Sequence, residues 1–218
     1  MCRIVVVLEH KTFVYNMDDM SLVEAVSTCP NAKGIVAFNC GDSTTNEVLA
    51  TPAAELGHLR LAIYRKNKTH IIKAHENALA AISLTPDGRL IATASEKGTL
   101  IRLINTESGN PLTELRRGSS SAVITSITFD LQLKFVAVTS TTSTVHVFVI
   151  DKEIHAQLGT SGALGYQEEN KDEAKNSKKG GFISGLFSKG SYMNSNTSFM
   201  QFKIKETSAE NKASVGFS

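Results

Sequence analysis

Short runs of β-branched and small apolar residues recur along the chain at nearly constant spacing. They share a central alanine and comprise residues 47–52 around Ala50, 89–95 around Ala92 and 134–140 around Ala137. The alanines lie 42 and 45 residues apart. Each run has an apolar alternation before it, at 35–38, 80–84 and 124–129, and a second one after a small-residue turn, at 57–63, 98–104 and 143–149. Alternation of this kind predicts β-strands.

The spacing of these runs indicates the architecture. A repeat of roughly 40–45 residues that carries four strands is typical of the blades of a β-propeller. Turn signals such as Thr85-Pro86-Asp87-Gly88 separate the strands. The sequence therefore predicts an all-β chain, an incomplete β-propeller of about three and a half four-stranded blades.

The predicted strands divide the chain into blades and one insertion. We expect a partial propeller over residues 1–204, a pattern-free, flexible, membrane-contacting insertion and a disordered tail. The boundaries are 3–28 for a partial blade, 34–74 and 78–117 for two blades, 122–150 plus 198–204 for the last blade, 151–197 for the insertion and 205–218 for the tail. Because a propeller closes at about four to eight blades, we expect a fragment, a truncated gene model or a chain that needs a partner.

Composition narrows the function classes. The 218 residues are 41% hydrophobic and 20% charged, with a formal net charge of +2, so any basic site must be local. Cys2, Cys29 and Cys40 form no CxxC pair, which favours reduced cytosolic thiols. No nucleophile triad, phosphate-cradling glycine loop or zinc spacing is present in the sequence. We therefore expect no enzyme, no cofactor, no metal site and no nucleic-acid partner.

Two adjacent arginines end one of the predicted strands, in Leu115-Arg116-Arg117-Gly118. Successive side chains on a strand point to opposite faces, so Arg116 and Arg117 can serve two pockets, one on each side. Guanidinium groups suit phosphate. The alternative is an edge strand that charge protects from aggregation. These four residues alone leave both interpretations open.

A longer motif adds a resemblance. The run Ala94-Ser95-Glu96-Lys97-Gly98-Thr99-Leu100-Ile101-Arg102-Leu103, followed by Leu115-Arg116-Arg117-Gly118, resembles the PROPPIN family. Its members are seven-bladed propellers that bind polyphosphoinositides in autophagy, with a Phe- or Leu-Arg-Arg-Gly hallmark. The resemblance runs from Arg3 to about Ile204 and covers the third to sixth blades of that family.

The resemblance implies two headgroup sites. The first takes a histidine at a blade junction, hydroxyl residues that flank Lys-Gly and two arginines, here His75, Ser95, Thr99, Arg102 and Arg116. The second takes the other hallmark arginine, hydroxyl residues of the next blade and a histidine, here Arg117, Ser140 or Thr144, and His146. Where the family has Lys-Gly before Thr144, this chain has Thr142-Ser143, so we expect a weaker second site. For His75 and His146 a structural role stays open.

The insertion carries a second candidate contact. Phe182, Ile183, Leu186 and Phe187 would share one face of a short helix, with three lysines and no acid in residues 177–193. Such a segment suits the interface of an anionic bilayer, and the family's equivalent loop inserts into membranes. The alternative is a loop that packs back on the propeller rim.

The expected function follows from the resemblance. It is a non-enzymatic effector that binds phosphatidylinositol 3-phosphate or the 3,5-bisphosphate and recruits autophagy proteins. The expected place is the cytosol, peripheral on pre-autophagosomal, endosomal or vacuolar membranes. A histidine beside phosphate is expected to gain a proton, which would strengthen binding at mildly acid pH. The alternatives are a protein-interaction scaffold with vestigial lipid sites, or a fragment that does not close.

Overall fold

The chain folds into four antiparallel sheets in sequence order. A computed structural model describes residues 3–41, 45–142, 144–159, 197–203 and 215–217. The first sheet has three strands and the other three have four each. The first comprises β1 (Arg3–Val7), β2 (Lys11–Asn16) and β3 (Leu22–Ser27). The second comprises β4 (Ala37–Asn39), β5 (Val48–Pro52), β6 (His58–Ile63) and β7 (Lys68–Lys73).

The third and fourth sheets carry the candidate residues. The third comprises β8 (Leu79–Leu84), β9 (Leu90–Ser95), β10 (Leu100–Asn105) and β11 (Pro111–Arg116). The fourth comprises β12 (Ile124–Phe129), β13 (Phe135–Ser140), β14 (Thr144–Val149) and β15 (Met200–Lys203). Within each of the last three sheets, strands that are consecutive in the chain pair side by side. The last strand, β15, pairs with β14 across the long insertion.

Apolar side chains fill the space between neighbouring sheets. Leu103 and Leu115 of the third sheet pack with Val138 and Phe148 of the fourth. Ile91 and Ile104, on the opposite face of the third sheet, pack with residues of the second sheet. A smaller cluster around Val14, Leu49 and Ala62 joins the first and second sheets. Each large apolar side chain buried in this way contributes about 1.5–3 kcal/mol, so face-to-face packing orders the array of sheets.

A short helix interrupts the strand pattern. It is α1 (Lys152–Gln157), which follows β14 and which the strand alternation does not predict. Ile154 and Leu158 pack into the cluster between the third and fourth sheets. Tertiary burial therefore stabilises a helix too short to form alone. A single 3₁₀ turn, Tyr64–Lys66, joins β6 to β7. In the described part of the chain, no helix is long and apolar enough to cross a bilayer.

Two glycines allow neighbouring sheets to approach closely. Gly57 and Gly98 precede the third strands of their sheets and adopt φ values of +74° and +62°. A Cβ at Gly57 would lie 2.0 Å from the carbonyl oxygen of His75, and one at Gly98 would lie 1.8 Å from that of Ala122. Because only glycine fits such contacts, these turns fix one edge of the array. We call it the glycine edge, defined by Gly57, Gly98 and the residues they contact.

Candidate functional site

The twin arginines lie at the glycine edge, at the end of the outermost strand of the third sheet. Arg116 pairs with Leu100 across the β10–β11 ladder, and its side chain is exposed. Arg117 follows the strand, and its backbone N–H donates to the carbonyl oxygen of Thr99 at 3.0 Å. The Arg117 side chain is only 6% exposed. The two side chains therefore occupy different environments although they are adjacent in sequence.

Arg116 lies on the face of the third sheet that meets the second sheet. Strand alternation puts it on the same face as Glu114, and Glu114 stands opposite Arg102 in the ladder. Arg102 in turn stands opposite Thr93 of β9. An Arg102 Nη1–H donates to the carbonyl oxygen of Ala74, next to the second sheet. This face therefore carries Arg102 and Arg116, two of the five residues of the expected first site.

His75 is buried at this junction. It is 4% exposed, and its Nε2 lies 3.0 Å from Thr93 Oγ1. Burial and, secondarily, the charge of Arg102 lower the pKa of His75 from the ordinary 6.5 to about 4. The imidazole is therefore neutral at mildly acid pH and acts as a hydrogen-bonding group between two sheets. Protonation there requires a bound phosphate to raise the pKa, so stronger binding in acid stays a prediction.

Arg102 is held by a carboxylate. Its Nε and Nη2 each lie 2.6 Å from Glu114 Oε1, and Nη1 binds the Ala74 carbonyl. Arg102, which is expected to bind phosphate, is therefore paired with an acidic residue of its own hairpin. Arg116 differs, because no carboxylate among the described residues lies within ion-pairing distance of its guanidinium.

Ser95 and Thr99 flank the turn that contains Gly98. They are 7% and 8% exposed, and the Ser95 carbonyl accepts from the N–H of Gly98 at 2.9 Å. The backbone contact of Thr99 joins it to Arg117 rather than to Arg116. The structure thus brings Ser95 and Thr99 to the same edge as Arg116, where they shape the turn.

Arg117 is bound by backbone carbonyls. Its Nε donates to the Gly98 oxygen at 2.8 Å, and its Nη2 donates to the Ser120 oxygen. Burial lowers the pKa of this guanidinium. The Arg117 side chain therefore joins the turn before β10 to the segment that leads into the fourth sheet, and its charge lies on the side opposite Arg116.

His146 faces Arg117 from the fourth sheet. It pairs with Val138 in the β13–β14 ladder, on the face that packs against the third sheet, and is 5% exposed. Burial and the nearby charge of Arg117 lower the pKa of His146. Its Nδ1 lies 3.5 Å from Ser198 Oγ, and its ring stacks on Phe148 at a centroid distance of 6.4 Å.

The hydroxyl residues expected in the second site lie on the same face. Ser140 is 2% exposed, and its Oγ lies 2.8 Å from Thr142 Oγ1. Thr144 Oγ1 donates to the Thr142 carbonyl at 3.3 Å. Thr142 thus uses its hydroxyl and carbonyl within the turn that replaces Lys-Gly. Ser143 lies outside the described residues.

Several contacting residues were missed by the sequence reasoning. Glu114 lies two residues before Arg116, so strand alternation alone would have placed it on the same face. Thr93 stands in the same relation to Ser95. The carbonyl of Ser120 and the hydroxyl of Ser198 had no comparable signal, because backbone acceptors and distant strands are brought together only by sheet packing.

The C-terminal end of the long insertion lies beside the arginines. Thr197 forms an isolated parallel bridge with Arg116, and Ser198 contacts His146. Phe182, Ile183, Leu186 and Phe187 lie outside the described residues. The end of the insertion is therefore adjacent to both candidate sites, and its expected membrane contact stays a prediction.

A cavity of about 460 Å³ lies away from the twin arginines. It is lined by residues of the second and third sheets and of the C-terminal end of α1, among them Lys66, Asp87, Arg89 and Glu107. Its charges pair with each other, Lys66 with Glu107 at 2.6 Å and Arg89 with Asp87 at 3.8 Å. Internal pairing leaves no unbalanced charge to attract a phosphate. Within the described ranges, no cluster of three potential metal ligands occurs.

Comparisons with known proteins agree on one family. A family model described as PROPPIN matches residues 1–177. Autophagy-related protein 18 of Dictyostelium discoideum is 37% identical over 150 residues, which cover 68% of this chain and 40% of that protein. Autophagy-related protein 18e of Arabidopsis thaliana is 38% identical over 152 residues, covering 70% of this chain and 40% of that protein. The chain thus spans about two fifths of these relatives.

Solved structures agree on the fold. Kluyveromyces lactis Hsv2 superposes with a TM-score of 0.70 at 22% identity, covering 97% of this chain and 57% of that one. KlAtg21, in its complex with the coiled-coil of AgAtg16, gives a TM-score of 0.55 at 26% identity, covering 68% of this chain and 50% of that one. The expected incomplete β-propeller and the resemblance seen in the sequence are both confirmed. The chain belongs to the PROPPIN family.

Proposed function

We propose that this chain is part of a non-enzymatic effector that binds phosphatidylinositol 3-phosphate or the 3,5-bisphosphate on membranes and recruits autophagy proteins. It would act from the cytosol, peripherally on pre-autophagosomal, endosomal or vacuolar membranes. The proposal has a lipid part, which rests on the arginines, and an autophagy part, which rests on the relatives.

The observation that carries the lipid part is the environment of Arg116. Its side chain is exposed at the end of β11, on the strand face that also carries Arg102, and no described carboxylate forms an ion pair with it. An exposed guanidinium without an acidic partner suits a phosphate monoester. On the other side of the strand, the buried guanidinium of Arg117 lies near His146 and would supply the positive charge of the second site.

The autophagy part rests on family membership. The relatives from Dictyostelium discoideum and Arabidopsis thaliana are named as autophagy-related proteins. A structural relative, KlAtg21, was solved with the coiled-coil of AgAtg16. A protein partner with a helical coiled-coil is therefore one reasonable candidate for recruitment by the whole protein.

The sequence of the insertion supports attachment to a bilayer. Phe182, Ile183, Leu186 and Phe187 alternate with glycine and serine between lysines. Weak headgroup contacts and an apolar segment can act together, because the second contact becomes intramolecular once the first has formed.

A second candidate function is a protein-interaction scaffold without lipid affinity. The pairing of Arg102 with Glu114 favours it, because an arginine whose charge is already neutralised contributes less to anion binding. The two candidate functions differ in whether the exposed Arg116 binds lipid, so a variant that lacks this arginine distinguishes them.

Vesicle flotation tests the proposal. The full chain is mixed with vesicles that contain phosphatidylinositol 3-phosphate, the 3,5-bisphosphate, or unphosphorylated phosphatidylinositol. We expect flotation with the first two only, and a loss of about tenfold or more for Arg116→Ala. Lys73→Ala is the matched control, since Lys73 ends the outer strand of the second sheet and is exposed, but lies on the face toward the first sheet.

Equal flotation of all vesicles, or equal loss for Arg116→Ala and Lys73→Ala, would contradict specific phosphoinositide binding. Absence of flotation with every vesicle would support the scaffold instead.

A further inference from the structure

The carboxylate of Glu114 lies inside the expected first site, where an anion would bind. Both Nε and Nη2 of Arg102 lie 2.6 Å from Glu114 Oε1. We propose that Glu114 is a releasable internal competitor that occupies Arg102, lowers the affinity of the first site and disfavours the more highly charged headgroups. This inference rests on the proposed function and adds a specificity-determining residue to it.

The donor geometry of Arg102 makes competition unavoidable. A guanidinium binds an oxyanion bidentately through the Nε and Nη2 edge or through the two terminal nitrogens. Glu114 occupies the first edge, and the Ala74 carbonyl occupies Nη1 on the second. A phosphate that binds Arg102 in a bidentate manner must therefore displace Glu114 or Ala74.

Glu114 is the partner that can leave. Its side chain is 49% exposed, and release places the carboxylate in water at small cost, because exposed ion pairs contribute little to stability. The Ala74 carbonyl belongs to the backbone that links the second and third sheets. Displacing Glu114 keeps that link intact.

The second sheet offers an internal contrast. Arg60 stands opposite Thr51 in its ladder, as Arg102 stands opposite Thr93. Its carboxylate partner is Glu24 of the first sheet, at 2.7 Å, with side-chain exposures of 13% and 25%. That pair joins two sheets and is held further by Tyr64. Arg102 instead forms its ion pair with an acidic residue of its own hairpin, so breaking this ion pair does not separate two sheets.

Position explains the effect on selectivity. Glu114 and Arg116 share a strand face two residues apart, so a phosphate at Arg116 lies beside the carboxylate. The repulsion between them grows with the charge of the headgroup. Removing the charge of Glu114 should therefore raise the affinity for the headgroup of the 3,5-bisphosphate lipid more than the affinity for the headgroup of the 3-phosphate lipid.

The experiment measures binding of soluble inositol 1,3-bisphosphate and inositol 1,3,5-trisphosphate, the headgroups of the two lipids, to the full chain by calorimetry. Glu114→Gln keeps the shape and removes the charge. We expect binding about fivefold tighter for the first headgroup and a larger gain for the second. Glu107→Gln is the matched control, because Glu107 lies at the other end of the same hairpin and pairs with Lys66; it should change neither affinity.

Glu114→Ala is measured in parallel, so that the result does not depend on one variant folding. If the unaltered chain binds, Arg116→Ala removes the binding at the first site, and neither Glu114 variant binds more tightly than Glu107→Gln, the competitor role is overturned and the proposed function stands. If the unaltered chain and the Glu114 variants bind neither headgroup, the competitor role and the proposed function are both overturned.

Discussion

Arg116 and Arg117 are neighbours in sequence but differ in almost every physical respect. Arg116 is exposed on the side of the second sheet. Arg117 is 6% exposed on the side of the fourth sheet, where its guanidinium binds the carbonyls of Gly98 and Ser120. One arginine is therefore available to a ligand at little structural cost, whereas the other also holds two segments of backbone together.

This difference predicts unequal effects on stability. Arg117→Ala leaves two carbonyls without their donors and should lower the free energy of unfolding by about 2–3 kcal/mol. Arg116→Ala should change it by less than about 0.5 kcal/mol. Urea denaturation of both variants of the full chain provides the comparison. Equal losses would show that Arg117 does not have the structural role assigned to it, and Arg117→Lys, which cannot present the same fork, should lose almost as much as Arg117→Ala.

The buried histidines predict that acid destabilises the fold. The pKa of His75 is about 4 in the folded chain and 6.5 at its ordinary value. Between these values the unfolded chain binds more protons, so the free energy of unfolding falls as pH drops from 6.5 toward 4 and is constant above about 7. His146 and His155, whose pKa values burial also lowers, act in the same direction.

His75 alone accounts for at most about 3 kcal/mol of this loss. Urea denaturation at several pH values measures it, with His75→Gln expected to flatten the profile. A profile of the unaltered chain that is flat from pH 7 to 4.5 would be inconsistent with a neutral, buried His75.

The close contact at Gly98 predicts a position that tolerates no side chain. Gly98→Ala places a Cβ against the carbonyl oxygen of Ala122 and should lower the free energy of unfolding by about 3 kcal/mol or more. Gly34→Ala is the control, because Gly34 has a similar φ of +64° with no atom within 4 Å of the added Cβ. It should cost only about 1 kcal/mol. Similar losses would mean that backbone conformation, rather than the contact between sheets, is the reason that position 98 requires glycine.

The apolar residues of the insertion predict a separable membrane contact. Replacing Phe182 and Phe187 with serine should weaken vesicle binding by on the order of tenfold or more, because less apolar surface enters the bilayer. Binding of soluble headgroups should not change, since neither side chain carries a charge or a hydrogen-bond donor for a phosphate. Loss of both activities would indicate instead that the segment packs on the propeller.

Local periodicity explains what could be predicted from the sequence. Strand alternation and the 42- and 45-residue spacings are local properties, so the sheets and the opposite directions of Arg116 and Arg117 could be inferred. The burial of Arg117 could not, since its acceptors are carbonyls in two turns that meet only after the third and fourth sheets pack. The helix α1 was missed for a related reason, because its six residues are stabilised by burial of Ile154 in a distant cluster.

The position of Glu114 could also be inferred from the sequence. The family motif predicts that Arg102 and Arg116 bind phosphate. The acid between them lies on the same strand face by simple alternation. The ion pair itself is seen only in the structure, where Glu114 lies 2.6 Å from Arg102 and occupies one of the two arginines that are expected to bind phosphate.

One strand end is predicted to serve two anion sites, one on each side. Titration of the full chain with soluble inositol 1,3-bisphosphate is the sharpest test, because calorimetry counts the bound molecules. We predict two per chain, with unequal affinities, and one per chain after Arg116→Ala. A single site in the unaltered chain, or two sites that survive Arg116→Ala, would contradict the account.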